Sequence, residues 1–337
     1  MRKTIRCLMS LILLSWISNG YGASNACEAD GLVEFLCGPV SPEDLAQIPG
    51  TPWIIASGME DDGYLYFTNS ETLSSAAVYP IADAQHQLDN RYRECPGPST
   101  EGFRPHGINL VVGNNGIHTL LVVRHGSRES IEVFEIEETA SAPIITWVGC
   151  VIAPADVVFN SVVATPDSGM AATHMQLPVG AIYEWGSTSG WQKVPGSESA
   201  GPNGIEISAD GNWFYVGGWG TRSIIKLSRG QSNVVIDSVS LPHHVDNVRW
   251  ATDGSLLAAG HVGPEASSII ACLSQQQCEG VSTRVTRVDV NNLTAREIIN
   301  YPSNSRFLLG TVAIEVGDEV WVGGIAGSDR IARFEYR

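Results

Sequence analysis

The chain has 337 residues and carries 20 Lys plus Arg against 36 Asp plus Glu, a formal net charge of −16. So acidic a chain weighs against nucleic acid and anionic lipid surfaces as partners. It mildly favours cations, although an ordinary soluble secreted surface accounts for most of the imbalance. The length exceeds the usual size of a single packed core, so one domain is reasonable only if the core is divided into repeated parts.

The N-terminus reads as a secretory leader over residues 1–26. MRKTIR is a basic segment, CLMSLILLSWI a short apolar one, and SNGYGASNA supplies small residues for cleavage after Gly22 or Ala26. The apolar run is too short for a comfortable membrane span, and no transmembrane segment is expected elsewhere. Cys27 after SNA offers a lipoprotein alternative with a poor consensus. The expected location is secreted or periplasmic. Beyond Cys7 in the leader stand six cysteines, an even number that suits disulfides in such a compartment. Cys272 and Cys278 flank a short loop and are the clearest pair; Cys27 with Cys37 and Cys95 with Cys150 are weaker ones.

Residues 27–337 read as one repeated β unit: a strand, a tight Gly turn, an apolar strand and an alternating strand. The turn glycines are Gly63, Gly116, Gly169, Gly211, Gly254 and Gly317. Apolar strands such as YLYFTN, MAATHM and LLAAGH follow them, then alternating ones such as SAAVYPI, GAIYEW and RIARFEY. Six such units predict an all-β fold, a six-bladed β-propeller. A sandwich has no reason to repeat the turn six times, and the spacing is too long for a hexapeptide β-helix.

Inside the repeat, one polar position recurs. Asn160, Asn203 and Asp246 each stand seven residues before the Asp that opens a turn, at Asp167, Asp210 and Asp253. Equivalent positions of a radial repeat face one axis, so these side chains can converge on a hard cation. Asn247 adds an oxygen, and Glu43 in SPEDLAQI is the best candidate for a second negative charge. Two carboxylates and three amides, with no nitrogen or sulfur donor, suit Ca²⁺. Any one of these residues also reads as a turn former.

His106 in RPHGIN and His125 in VVRH flank a predicted hairpin that turns at Asn115-Gly116, with equal arms. The pair reads equally as a general base with its helper or as structural histidines holding loops. His174, His243, His244 and His261 lie near strand ends of the same mouth, each more readily a wall residue than a catalyst. Trp185, Trp219 and Tyr183 fit core packing better than a substrate wall. GxSxG, Walker and HExxH motifs are missing from the sequence, and GNNG is a hairpin turn.

The segments PEDL, FRPHGINL, VVRH, FNSVVA, PNGIEISADG and VDNVRW follow one another as in the paraoxonases. The chain resembles that family over roughly residues 40–335. PNGIEISADG alone is shared with gluconolactonase-like and strictosidine-synthase-like propellers; PHGI and VVRH at hairpin spacing, with VDN, are more specific. The resemblance implies a secreted, calcium-dependent six-bladed propeller that hydrolyses small lactones and aryl esters. By it, Glu43, Asn160, Asn203, Asp246 and Asn247 match the catalytic-calcium ligands, and His106 and His125 the histidine dyad. It also implies a structural calcium on Asp44, the Ile108 carbonyl and position 161, where Ser161 replaces an acid and weakens the site. The family's disulfide to the last strand has no Cys here near RFEYR, so closure must come from strand pairing. A gluconolactonase-like sugar-lactone hydrolase, and a non-catalytic propeller that binds a ligand or a protein, remain the rival expectations.

Overall fold

The computed structural model describes residues 26–335; the expected leader lies outside them, apart from Ala26. Six sheets, antiparallel apart from the short outer strand Gln85–His86, follow one another around a ring. The protein is a six-bladed β-propeller. Each blade contributes its first strand to the axis: Pro42–Gln47 in blade I, Phe103–Val111 in II, Phe159–Ala164 in III, Pro202–Ile207 in IV, His244–Trp250 in V and Leu309–Val316 in VI. Each of these inner strands packs on the next, and the sixth returns to the first.

Second strands such as Trp53–Gly58 and Leu256–Val262 are apolar because they are covered on both faces by the neighbouring blades. Val162 and Ala172 of blade III, for example, join one core cluster with Ile108 and Val122 of blade II. Outer strands such as Ile236–Ser240 are largely exposed and alternate polar with apolar residues.

The ring closes by strand pairing. Val33–Cys37 runs antiparallel to Arg330–Glu335, and Ala26–Asp30 adds a fifth strand outside it. Phe35 and Leu36 are fully buried there, and Arg333 donates to both Glu34 and Glu319. Cys27 bonds Cys37, Cys95 bonds Cys150 and Cys272 bonds Cys278, so all three expected pairs form.

One expectation needs correction. In blades II to VI the named Gly closes the hairpin between the inner and second strands, but Gly63 lies one hairpin later, before the third strand Leu65–Asn69. The equivalent turn in blade I is at Gly50, which has φ +74° and lacks an Asp-Gly signature. The nearly all-β ring also carries a ten-residue helix, Ala266–Gln275, after the second strand of blade V. It buries Ile269 and Cys272 against Trp219, Leu309 and Ile325. Among the described residues, no helix is long and apolar enough to cross a membrane.

Candidate metal centre and histidine pair

All six inner strands are irregular at one level. Pairing with the second strand slips between Pro42 and Asp44, Pro105 and Ile108, Phe159 and Val162, Pro202 and Ile205, Val245 and Val248, and Gly310 and Val312. A bulge leaves residues out of the ladder and re-aims their side chains. The residues set free are Glu43, His106, Asn160, Asn203, Asp246 with Asn247, and Thr311. The seven-residue spacing seen in the sequence is thus the distance from bulge to turn. Thr311 obeys it too, seven residues before Asp318, and was missed because its turn reads VGDE. Its hydroxyl donates to the Glu43 carbonyl at 2.6 Å.

Glycine lets the strands converge. A Cβ on Gly107 would lie 2.5 Å from the Asn160 carbonyl oxygen, and one on Gly204 would lie 2.6 Å from the Asn247 Cα. Both contacts are with backbone, which cannot swing aside.

The five expected cation ligands meet in a network. Asn247 Nδ2 donates to Glu43 Oε1 at 2.6 Å, and Asn203 hydrogen-bonds Asp246. Asn160 Nδ2 stands 3.5 Å from His106 Nε2, which is 3.6 Å from Glu43 Oε1. The amide nitrogens therefore turn to protein partners. The oxygens do not: Glu43 Oε2, Asn160 Oδ1, Asn203 Oδ1 and Asn247 Oδ1 are all buried with no hydrogen-bond partner. Four stranded oxygens at one level are costly unless something positive sits among them. Burial pushes the Glu43 carboxyl well up, and the nearby Asp44 and Asp246 charges push it further. Burial likewise raises Asp246 to about 7, against the lowering effect of the Asn203 hydrogen bond. These donors fit a hard divalent cation such as Ca²⁺. Among the described residues no group of three or more His, Cys, Asp and Glu could hold a metal, which agrees with a set in which only two of five ligands are acids.

His106 and His125 do meet. His125 faces Arg104 across the hairpin, and the bulge swings His106 back to it. His106 Nδ1 lies 2.8 Å from His125 Nε2, whose Nδ1 lies 2.7 Å from Glu129 Oε2. Glu129 was not foreseen; it enters from the turn after VVRH. The His106 pKa lies well below the usual imidazole value, first because the ring is buried and then because His125 and Arg104 are near.

The expected second cation does not fit. Arg249 Nη2 donates to Asp44 Oδ2 and, at 2.6 Å, to the Ile108 carbonyl. Asp44 accepts further bonds from the Ile108 and Leu45 amides. Asp44 and Ile108 are therefore already served by a guanidinium, while the Ser161 hydroxyl has no partner.

The other histidines divide. His261 is buried with Nδ1 3.8 Å from Asp246 Oδ2. His244 bonds the Trp219 carbonyl at 2.6 Å, and its ring packs 4.3 Å from that of Trp219. His174 bonds the Val158 carbonyl at 2.9 Å, and His243 is wholly buried. Trp219 packs with the helix, whereas Trp185 and Tyr183 pack on the core shared by blades II and III.

Among solved structures, the chain is similar to a luciferin-regenerating enzyme (14% identity, TM-score 0.55), with 89% of this chain and 94% of that one covered. It is similar to a putative gluconolactonase at 11% identity and TM-score 0.54, covering 92% and 94% of the two chains. A gluconolactonase from Xanthomonas campestris matches at 13% identity and TM-score 0.54, covering 90% and 89%. No protein-family model and no curated protein matches the sequence. Likeness at these identities bears on the fold.

Proposed function

We propose that the protein is a secreted or periplasmic, calcium-dependent hydrolase of small lactones and aryl esters. The observation that carries this reading is the meeting of two features at the axis: four buried, unpartnered oxygens, and the His106 ring, backed by His125 and Glu129, with its Nε2 beside Glu43 and Asn160. Glu43, Asn160, Asn203, Asp246 and Asn247 would hold the ion. Bound there, calcium supplies a Lewis acid for a carbonyl oxygen and for the negative charge that develops on it.

The chain's own residues do the proton work. The Glu129 carboxylate accepts from His125 Nδ1–H, so His125 Nε2 is an acceptor and takes the His106 Nδ1 proton in a hydrogen bond. His106 Nε2 is left with its lone pair, facing Glu43 and Asn160. It takes a proton from water as the water oxygen attacks the ester carbonyl carbon. The acyl C–O bond then breaks, and the proton passes from Nε2 to the leaving alkoxide or phenoxide. His125 and Glu129 steady the imidazolium in between.

Three pairs of cysteines support an oxidising compartment, as does the leader-like start of the sequence. The similarity to gluconolactonase structures favours one second reading, a sugar-lactone hydrolase on the same centre. Purified protein assayed on phenyl acetate, aliphatic lactones and gluconolactone, before and after chelation and with calcium restored, tests both. Chelator-sensitive cleavage of phenyl acetate and aliphatic lactones is expected. Cleavage of gluconolactone alone selects the second reading. A folded, calcium-loaded protein inactive on all of them is a ligand-binding propeller instead.

A further inference from the structure

Below the ring of unpartnered oxygens lies a second buried polar cluster with no role in the steps above. Its centre is Arg249, on the inner strand of blade V, with a side chain only 8% exposed. The guanidinium reaches across the axis to Asp44 of blade I, to the Ile108 carbonyl of blade II at 2.6 Å and to Glu206 of blade IV at 3.5 Å. It also donates to the Val248 carbonyl at 2.8 Å. One side chain thus ties four of the six inner strands. Its acceptors are two carboxylates and two carbonyls, all oxygens, which is the donor set a hard divalent ion would take.

We propose that Arg249 is a built-in cation occupying this lower axial position permanently, so that the protein takes up one divalent ion per chain and not two. A guanidinium keeps its charge at any physiological pH, and its planar fork can serve several oxygens at once. It cannot dissociate, so the lower brace is independent of free calcium. Three of the strands it ties carry ligands of the upper site: Glu43 precedes Asp44, Asn203 stands three residues before Glu206, and Asn247 two residues before Arg249. Arg249 is therefore a positioning residue for the upper centre. The count of one ion rests on the proposed metal centre, whereas the claim about position 249 does not.

Metal content after dialysis against low calcium, with thermal unfolding across a calcium titration, tests this on three full-length proteins. The wild type is expected to hold one equivalent, and the N203A/D246A variant none. Arg249→Ser removes the guanidinium and leaves the oxygens; it is expected to gain one equivalent over the wild type and to show a larger calcium-dependent rise in melting temperature than the wild type. Guanidinium ion added at millimolar concentration should raise the melting temperature of Arg249→Ser as well. A wild type with no bound ion sinks the upper centre but leaves this gain to be read. A folded Arg249→Ser with no gain in metal and no calcium-dependent stabilisation beyond that of the wild type overturns the proposal. If Arg249→Ser does not fold, N203A/D246A decides: a retained, chelator-sensitive equivalent overturns the proposal, and its absence upholds it.

Discussion

His106 Nδ1 and His125 Nε2 stand 2.8 Å apart, at the axial end of a line that starts at the Glu129 carboxylate. Because a carboxylate only accepts, the proton on each ring is placed and the free lone pair falls on His106 Nε2. His106→Gln should lower kcat on phenyl acetate by about 100-fold, the size of a lost general base. Glu129→Gln keeps the shape but weakens the steadying charge, and should lower kcat by about 10-fold with KM nearly unchanged. Steady-state kinetics on the two variants check this; a KM effect without a kcat effect would show that the line only shapes the pocket.

The four unpartnered oxygens together argue for the proposed cation more than any single ligand does. Asn203→Ala and Asp246→Ala should each abolish chelator-sensitive calcium binding and lower esterase activity by about 100-fold or more. Circular dichroism should show the sheet intact. Full activity with full calcium content in either variant refutes the metal centre.

Gly204 makes a sharper probe, because it touches no substrate. Its Cβ would meet the Asn247 Cα at 2.6 Å, so Gly204→Ala must part the inner strands of blades IV and V. Weaker calcium binding by about 10-fold or more is expected, from misplaced Asn203, Asp246 and Asn247 oxygens. Isothermal titration against the wild type measures it.

His243 sets an acid limit. Burial lowers its pKa from 6.5 to about 4 in the folded protein. The unfolded chain therefore binds a proton that the native state refuses, and stability falls as pH drops from 6.5 to about 4. The loss amounts to about 3 kcal/mol. At saturating calcium, His243→Gln should flatten the pH dependence of denaturant midpoints across that window. An unchanged slope would mean that His243 is charged, or relieved of burial, in solution.

Closure is the last point of attack. The disulfide Cys27–Cys37 spans a separation of ten residues and holds the two added strands of blade VI to each other. Cys37→Ser paired with Cys27→Ser should cost about 2 to 3 kcal/mol from loop entropy. Chemical denaturation measures that cost. Phe35→Ala empties a fully buried site in the same strand and should cost about 3 to 5 kcal/mol.

Much of this was legible because a propeller repeats its chemistry with its geometry. The turns in blades II to VI and the Asn160, Asn203 and Asp246 register are local signals, carried by a few adjacent residues. Blade I was misaligned because Gly63 advertises a turn more loudly than Gly50 does. The helix Ala266–Gln275 escaped notice because it is short, lacks a side-chain N-cap bond and owes its place to packing on Trp219 and Leu309. Glu129 and Arg249 were invisible for another reason. Glu129 stands only four residues after His125, but no motif marks it as the partner of that ring; the partners of Arg249 lie on other blades, and no spacing in the sequence encodes an approach across the axis.

The pairing of Val33–Cys37 with Arg330–Glu335 has a temporal consequence. A strand near the start of the chain, paired on one edge with Ala26–Asp30, must wait with its other edge open until nearly all the rest has been made. The proposed ligand oxygens come from four different blades, so an ion would find a finished cage only once the ring has shut. Calcium capture would then report on completed synthesis: a nascent or clipped chain, lacking its final strand, would remain both open-edged and metal-poor.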